Sequence, residues 1–115
     1  MKIQQIKDIL EATCLCGDNF DAECFAGCGC DLMSDVLAFP KENMCLLTGL
    51  TNPQVIRTSE MLDVMCIVFV RGKRPPQETL ELACELGITV LSTKYTLYES
   101  CGKLYAHGLP GKNEV

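Results

Sequence analysis

"MCIVFVRGKRPPQETLELACELGITVLST", residues 65–93, decides the fold. Its opening run is apolar and rich in β-branched and aromatic side chains, the composition of a strand buried on both faces. "RGKRPP" breaks that pattern. "QETLELACEL" then resumes with apolar residues at helical spacing, so that Leu80, Ala83 and Cys84 are expected to face inward, and Gly87 supplies the left-handed stop. "ITVLST" is a second buried-type run. Strand, helix and strand in succession make a βαβ unit, which needs a parallel sheet with helices on its faces.

The same alternation extends outward in both directions. Upstream, "MCLLTG" (44–49) reads as a strand, Asn52 as the N-cap of a helix with Pro53 at its first position, and Val55, Ile56, Ser59 and Leu62 as that helix's inner face. Before it, "CFAGCGC" (24–30) is a strand candidate, and Asp31 stands where an N-cap would open the helix "LMSDVLAF", which closes before Pro40. The chain begins with Ile3, Ile6, Ile9 and Leu10 at helical spacing, then "ATCLCG" as a strand and "GDNFDAE" as a polar turn. Downstream, Thr96 and Glu99 form a capping box for a last helix with Leu97, Cys101 and Leu104 inward, ending at Gly108. The expected architecture is a three-layer α/β/α domain with a five-stranded, mostly parallel sheet. It occupies residues 1–109, and residues 110–115 are expected to form a flexible tail.

The totals agree with one globular domain. The chain has 115 residues, 48% hydrophobic and 22% charged, enough to bury a core without disulfides or metal as staples. No stretch approaches the roughly 18 apolar residues of a membrane span, and "MKIQQIKDIL" lacks a signal peptide's apolar block, so a cytoplasmic protein without membrane contact is expected. A net charge of −5 disfavours nucleic acid. The exception is "RGKR" at 71–74, three cations in one tetrapeptide.

In an open α/β sheet ligands sit beyond the carboxyl ends of the strands. Three segments end there: "TGLTN" (48–52), "RGKRPP" (71–76) and "STKYT" (92–96). Each offers small residues, a hydroxyl or a cation, and a helix start, which is what a phosphate group binds. None is a complete phosphate-loop motif, and the bland alternative is that the glycines permit tight turns while the hydroxyls and Asn52 cap helices.

The nine cysteines divide into two groups. Cys45, Cys66, Cys84 and Cys101 fall within apolar runs, where free cysteine behaves as a small hydrophobe. Cys14, Cys16, Cys24, Cys28 and Cys30 crowd into one region. Residues two apart on a strand share a face, so Cys14 with Cys16 and Cys28 with Cys30 are expected as same-side pairs about 7 Å long. Set side by side, these four thiols form a basket for an iron–sulfur cluster, the metal-site reading; the alternative is small residues packed beside glycine. The basket requires a strand order other than a hairpin, or thiols from two protomers. The odd count and the expected reducing compartment argue for free thiols or metal ligands over disulfides. Asp31, Ser34 and Asp35 read as a capped, solvated first turn, or as a hydroxyl with two carboxylates facing a metal or ligand. His107 is expected at the surface, and no nucleophile, base and orienting group assemble, so the chain reads as a binder and not an enzyme.

With the elements in order, "SDVLAF", "LLTGLTNPQVIRTSEMLD" and "IVFVRGKRPPQETLELACELGITVLSTKYTLYESCGKLY" resemble a DRTGG domain, over residues 3–109 and most closely over 46–105. The chain resembles in particular the small stand-alone DRTGG proteins associated with iron-only hydrogenase. The eponymous pentapeptide is absent, and "FDAE" stands where relatives carry "LDRE". The resemblance implies a fold like the N-terminal domain of HPr kinase, a homodimer, and a regulatory role, which in pyrophosphatases accompanies adenine-nucleotide control. It implies a ligand-facing surface at Thr48, Gly49 and Asn52, then Arg71, Gly72 and Lys73, then Ser92, Thr93 and Lys94. For the hydrogenase-linked subset it implies a redox enzyme as partner, with any iron–sulfur cluster on Cys14, Cys16, Cys28 and Cys30.

Overall fold

The computed structural model of the chain describes residues 1–112. In chain order the elements are α1 (Ile3–Ile9), β1 (Thr13–Cys16), β2 (Ala26–Gly29), α2 (Met33–Ala38), β3 (Met44–Thr48), α3 (Pro53–Met61), β4 (Cys66–Phe69), α4 (Gln77–Glu85), β5 (Thr89–Ser92) and α5 (Leu97–Ala106). The five strands form one sheet in the order β1-β5-β4-β3-β2. Strands β2 to β5 run parallel, and β1 closes one edge antiparallel to β5. The fold is the expected α/β architecture with a mostly parallel sheet.

Alternation along the central strands divides the core in two. Cys45 and Leu47, Cys66, Val68 and Val70, and Leu91 meet Ile3, Ile6 and Leu10 of the first helical segment and Leu104 of α5 on one face. Met44 and Leu46, Ile67 and Phe69, and Val90 meet Met33 and Val36 of α2, Val55 and Ile56 of α3 and Ala83 of α4 on the other. Strands β3, β4 and β5 are buried at every position, as a parallel sheet covered on both sides requires. Phe69 and Leu46 are among the largest fully buried side chains, and truncating either to alanine costs about 3–5 kcal/mol through lost burial and the cavity left behind.

Several local expectations are corrected. Asp31 does not cap α2: Leu32 holds the cap position without a side-chain bond, because the helix starts at Met33, one residue too late for Asp31 to reach its free amides. Asn52 does hold the cap position of α3, before Pro53, but its side chain makes no capping bond. Thr96 caps α5 as expected, its hydroxyl accepting from the Glu99 amide at 3.2 Å. Cys84 faces outward and forms a disulfide with Cys16, Cα to Cα 5.8 Å, so two of the nine cysteines are not free thiols. Leu109 is buried against the first core, and the Pro110 carbonyl accepts from the Gly27 amide at 2.8 Å, which ties the start of the expected tail to β2. The rest of that tail, residues 113–115, lies outside the described residues. No helix of the described residues is long and apolar enough to cross a membrane.

Candidate functional site

Parallel register brings the three strand-end loops to one rim. Thr48 pairs with Phe69, and Phe69 with Ser92, so β3, β4 and β5 end level with one another. Beyond this line the loops are knitted together by their backbones. Arg71 and Gly72 are both left-handed, with φ of 59° and 68°. That turn aims the Arg71 amide at the Tyr95 carbonyl (2.8 Å) and the Gly72 amide at the Thr93 carbonyl (2.7 Å).

The nine residues expected to face a ligand separate into two sets. Thr48, Ser92 and Thr93 are buried, and their hydroxyls serve the scaffold. The Ser92 hydroxyl donates to the Lys73 carbonyl at 2.9 Å, and the Thr93 hydroxyl to the Leu10 carbonyl at 2.7 Å. Thr48 donates to Asp31 Oδ1 at 2.9 Å and accepts from the Leu50 amide at 3.1 Å. Arg71, Gly72, Lys73 and Lys94 are exposed, as is Arg74 beside them, and Asn52 is exposed at the start of α3. Gly49 lets the Arg71 side chain lie close over the backbone: a Cβ there would stand 2.8 Å from the guanidinium and push it aside. The usable chemistry of this rim is therefore cationic, held in place by buried hydroxyls.

A cavity of about 540 Å3 opens beside these loops. It is lined by Gly72, Arg74, Ser92, Thr93, Lys94 and Tyr95 of the strand-end loops, together with Leu10, Glu11 and Thr13 from the β1 edge. That volume lies within the range of small-molecule sites, and Arg74 and Lys94 give it positive charge. The Tyr95 hydroxyl donates to the Glu11 carboxylate, which pushes its pKa up, and Lys103 sits 4.6 Å from the Tyr95 ring centroid. A second cavity, about 240 Å3 at the opposite rim, is lined by Glu60 and Asp63 without any lysine or arginine, which makes it a poor place for an anion.

Asp31, which the sequence places at a helix cap, instead joins this rim. Its Oδ1 accepts from both the Gly49 amide (2.7 Å) and the Thr48 hydroxyl. The Gly49 bond holds its carboxyl below the usual carboxylate range; partial desolvation opposes this, while the Thr48 bond and the charges of Arg71 and Lys73 assist. Ser34 and Asp35 lie within α2 and take no part in this cluster. Glu11 and Tyr95 were also missed, since a contact spanning 84 residues leaves no local signal.

The four cysteines of the expected basket are not brought together within one chain. β1 and β2 lie at opposite edges of the sheet, with three strands between them. A β-bulge between Cys14 and Cys16 also breaks their same-side pairing: Cys14 aligns with Leu91 and Cys16 with Val90, so Cys14 joins one core and Cys16 the other. Cys16 is further committed to Cys84. Among the described residues no group of three or more His, Cys, Asp or Glu side chains is placed to hold a metal. Cys24, expected with the reactive set, is fully buried beside Cys45; its hydrogen bond with Cys45 and its burial push its thiol up, so it stays protonated.

No protein-family model matches the chain, and no curated protein sequence does. Among solved structures, the fold is similar to the CBS and DRTGG domains of the regulatory region of a Clostridium perfringens pyrophosphatase, in a crystal structure with the activator diadenosine tetraphosphate. The TM-score is 0.73 at 20% identity, over 96% of this chain and 48% of that one. The present chain thus spans about half the length of that neighbour, and the likeness is one of fold, which is DRTGG-like.

Proposed function

We propose that the chain is a non-catalytic regulatory module that senses an adenine nucleotide, or a similar phosphate-bearing ligand, on its strand-end rim and acts as a homodimer. The observation that carries this reading is the convergence of Arg71, Lys73, Arg74 and Lys94 on one rim of an otherwise acidic protein, beside a cavity of about 540 Å3. Cations held on a rigid scaffold attract phosphate and, where guanidinium takes part, bind it through paired charge-assisted hydrogen bonds. The fold neighbour, described as a regulatory region in complex with a nucleotide activator, supports the same class of ligand.

The non-catalytic part of the proposal rests on what surrounds the rim. His107, the single histidine, follows the last turn of α5 and is exposed, with Nδ1 2.7 Å from the Lys103 carbonyl. Because α5 begins beside the loops and runs away from them, a base there is about 15 Å from a ligand. The hydroxyls nearest the ligand, on Thr48, Ser92 and Thr93, are occupied by internal bonds; the one carboxylate among their partners, Asp31 beside Thr48, is also held by the Gly49 amide, which lowers its pKa and makes it a weak base.

Calorimetric titration with ATP, ADP and AMP tests the reading. Heat is expected with at least one of them, and combining Arg71→Ala with Lys73→Ala is expected to weaken binding by about tenfold or more. Absence of heat with every adenine nucleotide would overturn it.

A further inference from the structure

We infer that the Asp31 carboxylate is the resident occupant of the rim's phosphate subsite, and that a ligand phosphate enters by displacing it; this rests on the nucleotide-sensing reading above. Four observations meet at this point. First, a single carboxylate oxygen takes both the Gly49 amide, at 2.7 Å, and the Thr48 hydroxyl, at 2.9 Å. A backbone amide and a hydroxyl converging on one oxygen at a strand end form the donor set that an anionic oxygen occupies. Second, the Arg71 guanidinium and both Asp31 oxygens flank the same small volume over Gly49, at 2.8 Å and 3.6 Å from where a Cβ would stand. The absence of a side chain keeps that volume open between a cation and a carboxylate.

Third, Asp31 is tethered lightly. It lies on an exposed bend between β2 and α2, caps no helix, and is held at the rim by the bonds of its carboxylate. Its neighbours stay fixed on either side, the Cys30 amide on the Leu47 carbonyl at 3.0 Å and Met33 buried in the core, so the side chain can leave without unfolding its element. Fourth, a phosphate group presents three acceptor oxygens and nearly two charges to the same donors and to Arg71 and Lys73, where the carboxylate presents one charge. The exchange is electrostatically favourable, but the ligand must overcome the bonds Asp31 already has. Asp31 thereby lowers affinity and couples ligand arrival to movement of the β2–α2 turn, including the exposed Leu32.

Asp31→Asn keeps the acceptor oxygen and removes the charge, and Asp31→Ala removes both. With the full chain, ATP and inorganic pyrophosphate are titrated into the native protein and both variants at one ionic strength, with melting temperatures recorded alongside. The expected result is tighter binding of both probes to both variants, about tenfold for Asp31→Ala, with Asp31→Asn retaining a native-like melting temperature. If the native protein binds and the folded Asn variant binds equally or less well, Asp31 is a structural clamp or a ligand contact, and the displacement idea falls while nucleotide sensing stands. If neither the native protein nor the variants bind either probe, both ideas fall.

Discussion

Arg71 adopts a left-handed backbone, φ 59°, which costs a residue with a Cβ about 1–2 kcal/mol relative to glycine. Two hydrogen bonds to the β5 loop hold the turn, from the Arg71 and Gly72 amides, so the backbone shape does not depend on the side chain. This separates conformation from charge. Arg71→Gly is expected to leave the melting temperature nearly unchanged, because released strain and the greater freedom of an unfolded glycine roughly cancel, at about 1 kcal/mol each. The same variant loses the guanidinium over Gly49, and phosphate affinity with it. Arg71→Val, branched at Cβ in a left-handed site, is expected to cost about 1–2 kcal/mol more than Arg71→Gly in chemical denaturation. Equal stability of the two variants would mean that the turn relaxes out of the left-handed region. Arg71 was legible as a ligand candidate from the crowding of cations in "RGKR"; its strain was not, since no pattern marks an arginine as left-handed. Asp31 misled for a related reason: its position before a helical run fits an N-cap, but two donors across the β2–β3 edge compete for the same carboxylate and win.

Elements were legible because burial repeats with the backbone period. The alternation of Cys45 and Leu47 against Met44 and Leu46 sorts β3 between two cores, and α3 presents Val55, Ile56 and Ser59 inward at helical spacing. The edge strands escaped that logic. In β1 a bulge inserts one residue between Cys14 and Cys16, so two positions that alternation places on one face are divided between faces. The bulge turns Cys16 toward α4, where Cys84 projects from an exposed position. An inward cysteine on a helix and an outward one have the same sequence signature here, because the apolar face of α4 is already supplied by Leu80, Leu82 and Ala83. The disulfide ties the antiparallel edge strand to a helix across 68 residues of chain, the kind of long closed loop that most restricts an unfolded ensemble. Reducing it, or substituting Cys84→Ser, is expected to lower stability by about 2–4 kcal/mol, read as a shift in denaturation midpoint with and without dithiothreitol. Cys28→Ser, on the opposite edge, is expected to leave the response to dithiothreitol intact; a native protein indifferent to reductant would show that the β1–α4 contact holds without the bond.

For the molecule as a whole, sheet order decided what sequence pattern could not. The pairs that build the candidate site join residues far apart in the chain, Asp31 with Thr48 across 17 positions and Tyr95 with Glu11 across 84, and no periodicity reports them. The strand-end rule nevertheless selects one rim from sequence, because it depends on the parallel sense of the strands and not on their order. Strand order also sets what lies outside. β2 is an edge, and the connections around it expose Phe39 (68%), Leu32 (57%) and Phe25 (47%), while β1 at the other edge is joined covalently to α4. Large apolar side chains exposed around an edge strand are costly in water and are covered when a second copy packs against them. The homodimer is therefore expected to form through the β2–α2 edge, adjacent to the bend that carries Asp31, so that ligand state and pairing share one segment. Sedimentation at micromolar concentration is expected to give twice the 12.7 kDa chain mass for the native protein and the single chain mass for Phe39→Asp, which places a charge in the apolar contact. A Phe39→Asp protein that remains dimeric would move the interface elsewhere, and a native protein that sediments as 12.7 kDa would remove the dimer from the proposal without touching the strand-end site.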